Sequence, residues 1–216
     1  MQVTSSTARP SLRTNDGRLV RGRRSRERIL EAARSLFRER GFDGATLRAI
    51  AARAGMGASS IYRHVRSKEE LLVEDLAARQ EEAWMRFRRD DDRGRAVRER
   101  VSHFFAEQHA LLCQDADLTT IALRALTQPE ARVARRVLAL HDRTIGLLAE
   151  ILQRGRARGD LARDADVLLG ARALFHAALG ARIAWAHGGL SADGCRDAIE
   201  SSVDLMFRGL AVKADG

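Results

Sequence analysis

Proline is almost missing from this chain, which has two in 216 residues. With alanine, leucine and arginine abundant, so few helix breakers favour helix throughout. Runs of alternating β-branched residues, which would argue for a sheet, are also missing, and the expected fold is all-α. Cysteine is equally scarce. Cys113 and Cys195 stand far apart with no partner pattern, which supports neither a disulfide framework nor a metal site and reads as two buried free thiols. No run reaches the roughly 18 consecutive apolar residues of a membrane span. The N-terminal arginines have no apolar stretch behind them, so they do not form a secretory signal. The expectation is a soluble, cytoplasmic protein with no membrane partner.

Lysine is the next shortage: Lys68 and Lys213 are the only two, and arginine carries almost all the positive charge. That charge is unevenly placed. Residues 1–70 hold 16 basic and 7 acidic residues, while residues 71–216 hold 22 of each, so the net +9 lies entirely in the first third. An excess confined to one end points to a polyanionic partner there.

Residues 1–24 show no apolar periodicity and read as a flexible basic arm. Ser25 is placed to cap a helix in which Ile29, Leu30, Ala33, Leu36 and Phe37 recur at helical spacing, with Gly41 as its stop. Thr46 caps a short helix through Leu47, Ile50 and Ala51 that ends at Gly55. A third short helix spans about 58–65, with Ile61 and Val65 inward. Ser67-Lys68-Glu69-Glu70 is a capping box, so a long helix starts there and continues through Leu72, Leu76, Ala83 and Phe87. Asp90-Asp91-Asp92 suits a helix N-terminus better than a C-terminus, so the next break falls there. Further helical stripes follow: Val97, Val101, Phe104, Phe105, Gln108 and Leu112, then Leu118, Ile121, Ala122 and Ala125. Thr127-Gln128-Pro129-Glu130 is a second capping box, opening a helix through Val133, Val137, Leu140, Leu148 and Leu152. Two last helices, about 164–187 and 191–210, are separated by Gly188-Gly189.

The stretch "ARAGMGASSIYRHVRSKEEL", residues 52–71, concentrates hydrogen-bond donors on a segment too short to bury much. Gly55-Met56-Gly57 is a turn of helix-turn-helix length. The helix after it presents Ala58, Ser59, Ser60, Arg63 and His64. Small side chains at its start permit close approach to base edges in a major groove, and Tyr62, His64 and Lys68 supply donors for phosphates. Residues 25–72, with "ILEAA…LF…G", "T…IA…AG" and "S.IY.HV.SKEEL", resemble the DNA-binding domain of the TetR family of transcriptional regulators. The remaining two-thirds are similar to that family in architecture only.

The resemblance implies a domain order: an arm over 1–24, a helix-turn-helix domain over 25–70, and a ligand-binding and dimerisation domain over 71–216. It implies that Arg48, early in the second helix, reaches a base and that Ala58, Ser59 and Ser60 read bases. It assigns phosphates to Tyr62, His64 and Lys68; Thr46 and Arg63 join the same DNA-binding set. Val65 stands where many members carry phenylalanine and faces the domain core. Taken alone, Tyr62 is equally a half-buried core aromatic and Lys68 a solvated helix-start residue. Arg21, Arg23 and Arg24 belong either to a minor-groove contact or to a solvated arm.

The partners expected are an operator duplex, a second copy of the chain and a small-molecule effector. On the last two helices Ala171, Leu174, Ala178, Ala181, Trp185, Ile199, Val203 and Met206 fit a dimer surface, the alternative being an intramolecular core. Trp84, Phe87, Phe104, Phe105, His109, His141, Phe175 and His176 are candidates for the effector pocket, and their character suggests a hydrophobic or aromatic ligand. The reading is a repressor on a palindromic operator, released by that ligand. The competing classes are a helical-bundle enzyme and a ligand-free architectural DNA binder. The enzyme lacks a motif: there is no H-E-x-x-H, no di-iron Glu-x-x-His pair and no glycine-rich phosphate loop, and no catalytic residue, metal or cofactor is assigned.

Overall fold

The computed structural model describes residues 13–127, 129 and 131–210. All regular elements among them are helices, and the chain divides into two compact units, one up to Arg66 and one from Ser67.

In the first unit α1 spans Arg13–Gly44 with a break in its dihedrals at Gly41 (φ 69°), a value glycine adopts without steric cost. α1 begins twelve residues before the expected Ser25 cap, which lies inside the helix. The expected flexible arm over 1–24 is therefore helix from Arg13 onward, and its first twelve residues lie outside the described residues. Arginine is a good helix former, and a polar stretch needs no apolar stripe to extend a helix that is already nucleated. α2, Leu47–Arg53, opens on Thr46, whose hydroxyl accepts the Ala49 N–H at 3.1 Å. It closes in a Schellman turn. The Gly55 N–H donates to Ala52 O and the Met56 N–H to Ala51 O, at 3.1 and 2.9 Å, with Gly55 at φ 65°. α3 is only Ala58–Ile61, shorter than the expected 58–65, and residues 62–64 form a turn. The chain must leave helix there to bring Ser67 into the extended conformation of a cap (φ −151°). Ile29, Leu36 and Phe37 of α1, Ile50 and Ala51 of α2, and Ile61 and Val65 form the core of this unit.

The second unit contains α4 (Lys68–Asp90), α5 (Val97–Cys113), α6 (Ala116–Leu126), α7 (Ala131–Arg158), α8 (Val167–Ala186) and α9 (Ala192–Leu210). Ser67 Oγ accepts the Glu70 N–H at 3.2 Å, the cap the sequence announces. Thr127 ends α6, donating to Arg124 O at 2.6 Å, and does not open α7; Gln128 and Glu130 of the expected second capping box lie outside the described residues. The acidic break after α4 has a specific use. Asp91 accepts two hydrogen bonds, at 2.8 and 2.7 Å, from the buried Arg100 guanidinium, and this bidentate pair closes the α4–α5 corner.

α8 packs against α6, α7 and α9. By length and composition alone it is apolar enough to cross a membrane, yet it carries Arg172 and Arg182 and buries Gly170, Ala171, Leu174 and Ala178 among its neighbours. It is a core helix. Gly155 of α7 is a second point of close approach: a Cβ there would lie 2.6 Å from Val97 Cγ2 and 2.7 Å from Val97 Cβ at the start of α5. Gly155→Ala is expected to destabilise the protein by about 1–3 kcal/mol despite alanine's better helix propensity. Val97→Ala in the same chain should recover part of that loss, a coupling that a double-mutant cycle of urea unfolding measures.

Candidate nucleic-acid interface and interior cavity

The residues expected to read DNA fall on the outer side of the first unit. Thr46, Arg48, Ala58, Ser59, Tyr62 and Arg63 are exposed, and Ser60 and His64 are half-buried. Tyr62 keeps 59% of its surface in solvent, which removes the core-aromatic alternative. Its phenol rides on a segment anchored from inside by Ile61 and Val65, both essentially sealed. The Arg48 side chain has no hydrogen-bond or ion-pair partner among the described residues, so it costs nothing internal to redirect it toward a base. Arg63 differs: it donates to Ser60 Oγ at 2.9 Å, so two of the expected contact residues hold each other. Lys68 is the first residue of α4, in the second unit, and is half-buried.

Two polar ties fix this segment against α1. Arg26 donates to the His64 carbonyl at 3.0 Å. Arg53, the last residue of α2, pairs with Glu39 and also donates to Ser35 Oγ at 2.6 Å. The Arg53 and Ser35 hydrogen bonds hold the Glu39 carboxyl down at about 2, below the usual carboxylate range. Glu39 is therefore fully charged at neutral pH, and its contribution is lost only as pH falls from about 4.5 through about 2.

The second unit contains a mostly apolar cavity of about 340 Å³. Leu76 and Gln80 of α4, Leu112 of α5, Leu123 of α6, Val137, Leu140 and His141 of α7, and Phe175, Leu179, Arg182 and Ile183 of α8 line it, together with Thr127. Burial pushes the His141 imidazole below the ordinary histidine range, so it is neutral at pH 7 and offers one donor and one acceptor. A second cleft of about 200 Å³ has a polar wall of Arg88, Asp91, Arg93, Arg100, Glu150 and Arg154. Arg100 is paired with Asp91, and Arg154 and Arg88 share Glu150, so the four arginines of this wall outnumber its two carboxylates.

Of the eight residues expected in the pocket, only His141 and Phe175 line the cavity. Phe87, Phe104 and Phe105 interlock instead, with ring centroids 5.4 and 5.5 Å apart in edge-on geometry, and form the α4–α5 core. Trp84 lies beneath the Arg143 guanidinium, 4.0 Å from the ring centroid. His109 packs on Trp185 and approaches Cys113 Sγ at 3.2 Å, and His176 is exposed against the edge of Phe175. Aromatics pair preferentially with each other, so the space is left among aliphatic side chains. The residues missed are those aliphatics, Gln80 and above all Arg182. An arginine inside the apolar run "AALGARIAWA" was a readable signal.

The expected dimer stripe also needs correction. Ala171, Leu174, Ala178, Trp185, Ile199 and Val203 are buried within the single chain, and Ala181 and Met206 are half-buried. The six buried residues pack α8 and α9 into the intramolecular core beside α5, α6 and α7, while Ala181 and Met206 keep part of their surface exposed. Among the described residues, the large apolar side chains left exposed on these helices are Leu168, Leu169 and Leu205.

A compact basic unit presenting a short helix after a glycine turn, followed by a helical unit with an apolar cavity, defines a two-domain helix-turn-helix regulator. The profile described as "Bacterial regulatory proteins, tetR family" matches residues 29–74. The HTH-type transcriptional repressor NicS of Pseudomonas putida is 31% identical over 146 residues, 65% of this chain and 67% of NicS. The HTH-type transcriptional repressor KstR of Rhodococcus jostii is 29% identical over 187 residues, 84% of this chain and 82% of KstR. The crystal structure of FadR from Thermus thermophilus, a TetR-family transcriptional repressor in complex with lauroyl-CoA, matches with a TM-score of 0.72 at 26% identity, covering 88% of this chain and 97% of that one. The chain belongs to the TetR family and is a DNA-binding transcriptional regulator.

The family resemblance implies two kinds of contact. Arg48→Ala is expected to relax base preference at one position per half-site, by about 1–3 kcal/mol for a bidentate guanine contact. Tyr62→Phe and Lys68→Ala should weaken binding to all duplexes alike, because phosphates carry no base identity. Affinity measured across single-base operator variants distinguishes the two patterns.

Proposed function

We propose that the protein is a cytoplasmic repressor that binds a partly palindromic operator as a homodimer and releases it when a small apolar effector fills the 340 Å³ cavity. The cavity carries this reading. Its size falls at the lower end of the range for small-molecule sites, and its wall is mostly aliphatic with a few polar groups. FadR, bound to lauroyl-CoA, supports an effector with an apolar body. Coupling runs through α4. Leu76 and Gln80 meet the ligand, and the same helix starts at Lys68, two residues after the DNA-reading unit ends. An effector that favours one setting of α4 alters the distance between the two reading heads, which must match major grooves about 34 Å apart. Selection of bound duplexes from a random pool tests the DNA half. The selected site should be two-fold symmetric, with affinity falling steeply as salt rises from counterion release. Equal affinity for random and selected duplexes refutes it.

The dimer uses the outer faces of α8 and α9, where Leu169 and Leu205 keep 64% and 73% of their surface in solvent within one chain. A symmetric pairing of these faces matches a two-fold operator. Because Leu205 is outside the core, Leu205→Glu should leave the fold intact, with stability changed by no more than about 0.5 kcal/mol per chain apart from the lost association. Its solution mass should be that of a monomer, and operator affinity should fall sharply with residues 25–72 untouched. A dimer of normal affinity would place the interface elsewhere.

A further inference from the structure

Among the described residues the second unit buries two arginines of opposite status. Arg100, 3% exposed, is neutralised by the two Asp91 oxygens. Arg182, 4% exposed, has no carboxylate partner among the described residues. One of its amino groups donates to Gln108 Oε1 at 2.8 Å, and its Nε–H has no hydrogen-bond partner among those residues. The polar groups around it do not supply a negative charge. Burial and the Arg182 charge itself both push His109 below the ordinary histidine range, so it is neutral at pH 7, and burial raises the Cys195 thiol, which stays protonated. Burial without neutralisation draws the guanidinium down to about 10, still charged at neutral pH. Apart from a long cation–π approach to Phe105, whose ring centroid lies 6.0 Å from the guanidinium carbon, the charge is unpaired at this depth, a standing cost that folding alone does not explain.

Arg182 also lines the apolar cavity. Phe175, Leu179 and Ile183 share its face of α8, and no acidic side chain is among the described lining residues. Across the cavity Gln80 Oε1 also lacks a partner among the described residues; as an acceptor it calls for a donor such as water and gives no support to an anion. We infer that the cavity takes an amphipathic anion, a small carboxylic acid whose apolar body lies among Leu112, Leu140 and Phe175 and whose carboxylate accepts hydrogen bonds from Arg182. This rests on the effector reading above and narrows its ligand class. It departs from the simplest transfer from an acyl-CoA-binding relative, because an acyl chain alone would leave Arg182 uncompensated.

The test is calorimetric titration of the full-length protein at pH 7 with octanoate and cinnamate, each against its primary amide, with operator release measured in parallel. At least one acid is expected to bind about tenfold or more tightly than its amide, the range for a charge-assisted hydrogen bond in a buried site. Arg182→Met should abolish that preference while leaving amide affinity within about twofold, and its ligand-free melting temperature should equal or exceed the wild type's. Equal binding of acid and amide by the wild-type protein overturns the inference without recourse to any variant. So does the failure of both acids to bind, acid preference that survives Arg182→Met, or a marked loss of melting temperature in that variant, which would make Arg182 a structural cross-link to Gln108. An acid that binds through Arg182 but leaves the operator complex intact supports the site and refutes the regulatory reading. Release by uncharged apolar compounds alone does the reverse.

Discussion

The second unit depends on the thinness of α8. Ala171 and Ala178 are completely enclosed and Gly170 is buried beside them, so α6, α7 and α9 all approach the same helix closely. Close approach on several sides puts the larger residues of α8, Leu174, Phe175 and Trp185, at fixed places between neighbours. It also leaves the cavity at one end of that packing, where aliphatic chains from five helices meet without filling the space. A bulkier α8 would separate its neighbours and lose both.

Polar groups inside this unit divide into two kinds. Some are closed locally: Thr119 donates to Leu112 O at 2.8 Å and Thr144 to Leu140 O at 3.0 Å, so each buried hydroxyl returns to the backbone of its own region. Asp75 and Arg79, one turn apart on α4, pair at 2.8 Å, and Arg79 also donates to Leu111 O. Others are left open, and Gln80, Gln108, His109 and Arg182 each keep a buried atom without a partner among the described residues. Native interiors rarely tolerate such atoms, so each calls for a further partner such as an ordered water or a ligand.

How much of this was legible in the sequence depended on the range of each interaction. Thr46, Ser67 and Gly55 announce helix ends through hydrogen bonds that reach two to five residues along the chain, and those boundaries agree closely with the structure. The early start of α1 was hidden, because residues 13–24 have no apolar periodicity to mark a helix that extends from its buried half. The stripe of Ala171, Leu174 and Ala178 says that a face is covered and not by whom; the partner turned out to be the chain itself. Aromatic composition located only His141 and Phe175 of this cavity's wall, for a related reason. Which of Phe87, Phe104 and Phe175 faces open space is decided by contacts far apart in sequence.

The four-residue α3 has one further consequence, which concerns how such a protein diverges. Only Ile61 of that helix is buried, and the tie from Arg26 to this segment engages the main-chain carbonyl of His64 rather than its side chain. Ala58 and Ser59 therefore contribute almost nothing to holding the unit together. Replacing them leaves the scaffold indifferent, so if they read bases, as the family resemblance implies, mutation can search recognition surfaces without passing through misfolded intermediates. Copies of such a gene are free to acquire new target sites while inheriting the same foldable frame.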